Sequence, residues 1–372
     1  MARGGARDRA VRGMTYLDYQ ATTPLAPEAF DAMLPWLRDQ HANPHSPHRA
    51  GRAAKAAVEV ARAQVAALLP AGGRVMFTSG ATEALNWAIK GVGGATVTQA
   101  TEHAAVLDTV AASGRANVVL AVDRGGRVAP DAVAAAVRET GARLVAVMLV
   151  NNEIGTIQPV AEIAAAVRPL GALLLCDAVQ GYGRIAIPDA CDMIAISAHK
   201  IYGPKGIGAL WVRDGVSLTP LLHGGDQEGG RSGTLSPALC AGFGAAAALA
   251  KTRMAEDAAQ AARLFDLARA RLSGWTLNGP DEQRWPGNLS VRRDGLDVAR
   301  LMSDVRDVAF SAGSACASGS GRTSHVLRAI GLSDAQARAT IRVGFGRYTT
   351  EDKLLAALDR LAAAADAQKV AA

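Results

Sequence analysis

The chain contains the stretch Met193-Ile194-Ala195-Ile196-Ser197-Ala198-His199-Lys200, which is followed by a glycine-proline turn over residues 201–206. Its apolar start predicts a short buried strand. In open α/β sheets, ligands bind at the carboxyl ends of strands. Lys200 could form a Schiff base there while its neighbours bind an anion. Taken alone, the stretch favours the simpler alternative, a solvated Lys200 beside a packed His199.

The composition is that of an ordinary globular protein. The chain has 372 residues, 49% of them hydrophobic and 20% charged, and at about 150 residues per domain this length predicts two domains. The formal net charge is +6, but the basic residues outside the N-terminus are scattered, which argues against nucleic acid as a partner. The longest apolar runs, such as residues 238–250, contain glycine and are too short to span a bilayer. No membrane partner is predicted.

The four cysteines show no paired or metal-like spacing. So few cysteines in a chain of this size predict a reduced, cytoplasmic protein and give no sign of a metal site. Residues 1–13 carry four arginines but no apolar core, which argues against a secretory signal. We predict a flexible basic tail there.

Strand-like and helix-like segments alternate through the first two-thirds of the chain, which predicts a mostly parallel sheet covered by helices. Residues 48–69 carry apolar residues at helical spacing, which predicts a long amphipathic helix. Ser236 and Pro237 suit the cap and first residue of a long linker helix. We therefore predict a large domain over residues 14–250 and a small α+β domain over residues 251–372, joined by N-terminal residues. The small domain's predicted strands lie at 287–291, 307–310 and 341–345, and its predicted helices at 297–305 and 350–365.

Five hydrophobic runs end in polar groups that could bind one ligand. Residues 75–77 lead into a glycine turn and a helix start, which suits a phosphate or is an ordinary helix cap. Residues 96–98 precede His103, which could lie over an aromatic ligand or move protons, although a lone histidine is more often structural. The run at residues 143–150 precedes the pair Asn151 and Asn152, which could instead be ordinary turn residues. Residues 172–176 end in Asp177, whose charge needs a cation, either a protonated pyridine nitrogen or an arginine, or a capped helix. Together these groups provide what pyridoxal 5′-phosphate needs, namely an amine for its aldehyde, a negative charge for its ring nitrogen and a site for its phosphate.

An ordered set of motifs makes the interpretation more specific. The motifs lie at residues 16–24, 77–83, 101–103, 150–155, 177–180, 197–208, 231–234, 314–316 and 342–350. In this order the chain resembles the cysteine desulfurases of the NifS/IscS type, in the class V aminotransferase branch of the fold-type I pyridoxal-phosphate enzymes. The resemblance implies an α/β fold with a large domain, whose mostly parallel seven-stranded sheet is flanked by helices, and a smaller α+β C-terminal domain.

The resemblance also implies a role for each matching residue. Lys200 would bind the cofactor, Asp177 would pair with its pyridinium nitrogen, and His103 would stack on its ring and move protons. Arg342, assisted by Asn43, would bind the substrate carboxylate. The remaining cofactor contacts would come from Ala81, Thr82, Asn152, Gln180, Ser197 and His199, and from Thr234 across the interface of a homodimer.

The segment after Phe310 consists almost entirely of small residues up to residue 321, which predicts a mobile loop. Cys316 in this loop is a poor packing residue and a good moving nucleophile, whereas Cys176, Cys191 and Cys240 suit buried, inert positions. The family has its catalytic cysteine here. The resemblance therefore implies that L-cysteine becomes L-alanine while Cys316 takes the sulfur as a persulfide. An acceptor protein, such as an iron–sulfur scaffold, would then receive it.

Several alternatives remain open at this stage. A selenocysteine lyase, or another class V lyase or aminotransferase, would share most motifs but would not need Cys316. A non-catalytic protein that binds the cofactor as a scaffold would not need the set of Lys200, Asp177, His103 and Cys316. Lys205 is a competing amine, but it lies beyond the turn. A dehydrogenase is disfavoured because no G-x-G-x-x-G follows an early strand.

Overall fold

The computed structural model describes residues 13–313 and 323–370. Most of the predicted basic tail, and the predicted nucleophile Cys316, therefore lie outside the described residues. Within them, no helix has both the length and the apolar character needed to cross a bilayer.

The described residues form thirteen strands and eleven α-helices. The strands are β1 (Thr15–Tyr16), β2 (Gly73–Thr78), β3 (Thr96–Gln99), β4 (Asn117–Leu120), β5 (Leu144–Met148), β6 (Leu173–Asp177), β7 (Met193–Ser197), β8 (Gly208–Arg213), β9 (Thr276–Leu277), β10 (Asn288–Arg292), β11 (Val308–Ala309), β12 (Ser311–Ala312) and β13 (Thr340–Gly344). The helices are α1 (Pro27–Arg38), α2 (Arg49–Ala66), α3 (Ala81–Val92), α4 (Ala104–Ala112), α5 (Pro130–Thr140), α6 (Val160–Val167), α7 (Pro237–Arg271), α8 (Val298–Asp304), α9 (His325–Ala329), α10 (Asp334–Arg338) and α11 (Glu351–Val370).

A seven-stranded sheet is the larger of the structure's two main sheets. Its spatial order is β2-β8-β7-β6-β5-β3-β4, and β8 alone among these strands runs antiparallel to its neighbours. Strands β5 and β7 are buried along their whole length, which explains their continuous apolar sequence. Alternate side chains pack against α3 and α4 on one face and against α2, α5, α6 and α7 on the other. The predicted mostly parallel α/β fold is confirmed.

Helix α7 joins this sheet to a second core. Ser236 caps it by accepting a hydrogen bond from the Leu239 amide at 3.3 Å, and Pro237 is its first residue, as predicted. Its first half packs in the core of the seven-stranded sheet, whereas Leu264 and Ala268 belong to the second core. The predicted boundary at residue 250 therefore lies inside a continuous helix, and the domain limits stay a prediction.

The second core lies on an antiparallel sheet of order β12-β13-β10-β9. It is closed by α11 and by residues from the N-terminus, since Leu17 is buried in it and β1 pairs with β11. Strands β10, β11 and β13 and helices α8 and α11 lie where the sequence predicts the elements of the small domain, with ends that differ by a few residues. The predicted amphipathic helix is α2, which ends at Ala66; Leu68 and Leu69 still pack against the core.

Candidate active site

The five polar strand ends meet at one cavity of about 1090 Å³. They do so because β2, β3, β5, β6 and β7 all point in one direction, so that their carboxyl ends share one edge of the sheet. The cavity is lined by ten of the residues predicted from sequence, namely Ala81, Thr82, His103, Asn152, Asp177, Gln180, Ser197, His199, Lys200 and Arg342. Their individual roles stay predictions.

Lys200 follows β7 in a short 3₁₀ turn that turns its amine into the cavity. Its Nζ donates hydrogen bonds to the backbone oxygens of Ala21, at 2.8 Å, and Gln20. Burial, assisted by the positive charges of Arg184 and Arg342, lowers the pKa of the amine to about 7. A large share of Lys200 is therefore neutral at neutral pH and able to attack a carbonyl carbon.

Asp177 ends β6 with only 6% of its surface exposed. Its Oδ1 accepts a hydrogen bond from the Val179 amide at 3.0 Å, and no described residue forms an ion pair with it. Burial raises the pKa of the carboxyl group, an effect that His103 and Lys200 oppose. A cation placed in the cavity would thus stabilise the charged form of this carboxylate.

His103 caps the N-terminus of α4 with its ring. The Ala105 amide donates to Nδ1 at 3.0 Å, so the neutral ring carries its proton on Nε2. Burial lowers the pKa of His103, while the negative charge of Asp177 opposes this effect. His103 is therefore a hydrogen-bond donor through Nε2 in its neutral form.

The N-terminus of α3 forms an anion-binding end of the cavity. Its cap residue Gly80 supplies no side chain, and the amides of Ala81 and Thr82 donate to no described residue. Free amides at a helix start favour a phosphate or a carboxylate. Gly208, the first residue of β8, permits this strand to lie close to the start of α3, since a Cβ on Gly208 would lie 2.7 Å from the Gly80 carbonyl carbon.

His199 and Ser197 lie at the end of β7, next to this helix start. The Nδ1 of His199 lies 3.1 Å from the hydroxyl oxygen of Thr22. Burial and the charge of Lys200 lower the pKa of His199 to about 4. Its ring is thus neutral at pH 7, and it would meet an anion as a hydrogen-bond partner rather than as a cation.

Arg342 reaches the cavity from the second sheet, where it lies on β13 with 1% of its surface exposed. Its Nη2 donates to Asp18 Oδ1 at 2.9 Å and to the Ser311 hydroxyl at 3.2 Å, and its Nη1 donates to the Asn152 carbonyl at 3.1 Å. Its Nε has no partner among the described residues. The Arg342 side chain therefore lines the cavity, and one of its donors, the buried Nε, is used by no described residue.

Two predicted residues lie away from this cavity in the single chain. Asn43 is exposed, and its Oδ1 accepts a hydrogen bond from the His45 amide at 2.8 Å. Thr234 is exposed just before α7 and does not line the cavity. A contribution of Thr234 across a dimer interface therefore stays a prediction, as does the assistance of Asn43.

The structure adds residues that the sequence reasoning missed. Arg184 donates to Gln180 Oε1 at 2.5 Å and to the Lys200 carbonyl at 2.8 Å, and Gln180 donates in turn to the Gln20 carbonyl at 3.0 Å. Gln20 contacts Gln180 and Lys200, which lie 160 and 180 positions further along the chain, and no local sequence pattern predicts contacts over such separations. His325 also lines the cavity, and nothing in its immediate sequence marked it.

Glu102 is a further cavity residue without a predicted role, although its motif is part of the resemblance. It is fully buried, and its Oε1 accepts hydrogen bonds from Gln99 Nε2 and the Met148 amide, both at 2.6 Å. Its Oε2 has no partner among the described residues. Burial and the neighbouring Asp177 raise the pKa of Glu102 to about 8, so this carboxyl group is largely protonated at neutral pH.

Comparisons with known proteins agree with this architecture. The family described as "Aminotransferase class-V" matches residues 15–356. "Cysteine desulfurase IscS" of Rickettsia bellii (strain OSU 85-389) is 41% identical over 361 residues, which cover 91% of this chain and 88% of the relative. The solved structure of a NifS-like protein from Rickettsia africae ESF-5 has a TM-score of 0.89 at 28% identity and covers 95% of this chain and 99% of that one. The structure of SspA in complex with cysteine has a TM-score of 0.79 at 34% identity, and the match covers 90% of this chain and 99% of that one.

Proposed function

This chain belongs to the class V aminotransferase family and, within it, to the cysteine desulfurases, and from this premise we propose that it removes sulfur from L-cysteine to give L-alanine, with pyridoxal 5′-phosphate as cofactor. The observation that carries the proposal is the pairing of Lys200 and Asp177 on one cavity. One is a half-buried amine with a pKa of about 7, and the other is a buried carboxylate without an ion-pair partner among the described residues.

The residues present fit this cofactor. The Lys200 amine suits its aldehyde, Asp177 suits the cation of its ring nitrogen, and the free amides at the start of α3 suit its phosphate. The SspA structure, which holds cysteine, supports the same substrate for this chain. When bound, the cofactor supplies an electron sink next to the substrate amino group.

The chain's own residues would bind the substrate and move its protons. Arg342 would hold the substrate carboxylate through its guanidinium, since this side chain lines the cavity. Lys200, whose pKa lies near neutrality, would take and return a proton at Nζ, and His103 would donate through Nε2.

The sulfur would be received by Cys316, which is the nucleophile that the sequence motif indicates. A thiolate of Cys316 would attack the sulfur of L-cysteine, forming an S–S bond as the Cβ–S bond breaks. We infer that the resulting persulfide is passed in the cytoplasm to an acceptor protein such as an iron–sulfur scaffold. We further infer that the enzyme is a homodimer in which Thr234 completes the phosphate site of the opposite subunit.

The test is a Cys316→Ala variant, assayed with pyridoxal 5′-phosphate and L-cysteine for alanine and persulfide. We expect the variant to retain the absorbance of the bound cofactor but to form neither product at a rate above background. Cys240→Ala is the matched control, because Cys240 is buried in α7 and does not line the cavity; it should keep full turnover. Undiminished alanine formation by Cys316→Ala would instead indicate a lyase that works without this thiol.

A further inference from the structure

Arg184 is a half-buried cation that lies beside the cavity without lining it. Its guanidinium carbon is 5.7 Å from the centre of the Trp285 ring, and no described residue forms an ion pair with it. Taking a cation out of water without a counter-ion costs free energy. The hydrogen bonds of the guanidinium offset this cost, and their partners indicate a role.

The guanidinium joins two residues that line the cavity. Its Nη1 donates to Gln180 Oε1 at 2.5 Å and to the Gln180 carbonyl at 3.2 Å, and its Nη2 donates to the Lys200 carbonyl at 2.8 Å. Gln180 follows β6 and Lys200 follows β7, so Arg184 ties together the chain segments that leave two neighbouring strands. The planar fork of a guanidinium holds such partners in a fixed relative geometry.

The same two residues meet again at the Gln20 carbonyl. Gln180 Nε2 donates to this oxygen at 3.0 Å, and the Lys200 amine donates to it as well. Arg184, Gln180, Gln20 and Lys200 therefore form a closed ring of hydrogen bonds. Because Gln180 Oε1 accepts from Arg184, the amide is oriented with Nε2 as the donor to Gln20.

We propose that Arg184 is a positioning residue, which holds the Lys200 backbone and the Gln180 amide in the arrangement that points the Lys200 amine into the cavity. The inference rests on the proposed function, because that reaction requires the Lys200 amine to attack the aldehyde of the cofactor. The bond from Arg184 fixes the backbone of Lys200, and the Gln20 carbonyl fixes the end of its side chain.

The charge of Arg184 has a second effect on the same amine. A positive charge near Lys200 disfavours its ammonium form, and Arg342 acts in the same direction, whereas two carboxylates oppose them. The other groups that interact electrostatically with Lys200 are Arg342, Asp18, Asp177, His103 and His199. All of them stay in place when Arg184 is replaced, so a neutral side chain at this position should let Lys200 keep its proton to higher pH.

The experiment measures the protonation of Lys200 without relying on the cofactor. The full chain, freed of cofactor, is labelled with trace acetic anhydride over a range of pH, and acetylation of Lys200 is followed by peptide mass spectrometry. Only the neutral amine reacts, so for the wild type we expect a midpoint near pH 7. Arg184→Met should raise this midpoint by about one pH unit. Arg184→Lys retains a positive charge and should keep the midpoint of the wild type.

The rate at which the same proteins capture pyridoxal 5′-phosphate measures the positioning. At a pH well above every midpoint the amine is neutral in all variants, so differences in capture rate report its geometry. We expect Arg184→Met and Arg184→Lys each to be about tenfold slower than the wild type there, because neither side chain reproduces the fork between Gln180 and Lys200.

Arg213→Met is the matched control. Arg213 is also half-buried, donates to the carbonyls of Asp189 and Cys191, both at 3.0 Å, and lies over the ring of Trp211. It ends β8 and does not line the cavity. Its variant should match the wild type in both the acetylation midpoint and the capture rate.

Three results would each overturn the proposal: a wild-type midpoint in Arg184→Met, a wild-type capture rate in both Arg184 variants, or the same changes in Arg213→Met. If Arg184→Met does not fold, the capture rate of Arg184→Lys still tests the positioning. If the wild type captures no pyridoxal 5′-phosphate, the proposed function fails, and the acetylation midpoints still test the effect of Arg184 on Lys200.

Discussion

Lys200 shows how the fold prepares a single residue for chemistry. Its ammonium form is disfavoured because the side chain is buried and Arg184 and Arg342 lie near, and this lowers its pKa from 10.5 to about 7. The backbone oxygens of Gln20 and Ala21 hold the amine in place in the cavity. Lys205, the competing amine in the sequence, lines the same cavity but is exposed.

The first prediction concerns the pH at which the protein captures an aldehyde. Only the neutral amine reacts, so the capture rate of pyridoxal 5′-phosphate by protein freed of cofactor should rise through a midpoint near pH 7 and then level off. Absorbance gives the rate, and borohydride reduction with peptide mass spectrometry gives the site. Lys205→Ala should behave as wild type, whereas Lys200→Ala should form no reducible adduct in the cavity. A rate that still climbs towards pH 10.5 would contradict the prediction.

At this scale, some residues could be predicted from sequence and others could not. The positions of Asp177 and Lys200 at the cavity were predictable because Asp177 ends the apolar strand β6 and Lys200 closely follows the apolar strand β7, at the sheet edge where ligands bind. The partners of Lys200 were not, because Gln20 and Ala21 act through backbone oxygens that every residue has. His325 was missed because its contact with the Glu102 carbonyl joins positions 223 residues apart.

Among the elements, the loop before α7 is joined to the rest of the large sheet's core in part by a buried ion pair. Glu228 has 1% of its side chain exposed and makes two hydrogen bonds to the guanidinium of Arg62 on α2, at 2.7 and 2.8 Å. It also accepts from the Phe77 amide on β2 at 2.6 Å. This side chain therefore joins the loop at residues 222–231 to a helix and a strand.

The second prediction is that Glu228→Ala destabilises the protein by about 3 kcal/mol. The substitution leaves the Phe77 amide buried without its acceptor and removes the bidentate partner of Arg62. Denaturant unfolding measures the change. Glu59→Ala is the matched control, because Glu59 pairs with the same arginine but has 53% of its side chain exposed, and it should cost less than about 1 kcal/mol. Equal losses for the two variants would contradict this account.

For the molecule as a whole, the site depends on how two cores are held together. Lys200 and Asp177 belong to the seven-stranded sheet, whereas Arg342 comes from the second sheet and meets Asp18 and Asn152 at the cavity. Alternation of strands and helices predicted the first sheet. The burial of Leu17 in the second core depends on contacts between the two ends of the chain, which no local pattern encodes.

The third prediction tests whether α7 couples the two cores. The helix contributes Phe243 to the first core and Leu264 to the second, and Lys251 is exposed between them. Lys251→Pro removes a hydrogen bond in the helix interior and should cost about 3 kcal/mol or more, whereas Lys251→Ala should be nearly neutral. Hydrogen exchange followed by mass spectrometry reports each core separately. We expect the proline variant to lose protection first in β10, β13 and α11, because this smaller core has less buried surface to stabilise it alone. If both cores keep wild-type protection, the continuity of α7 does not couple them.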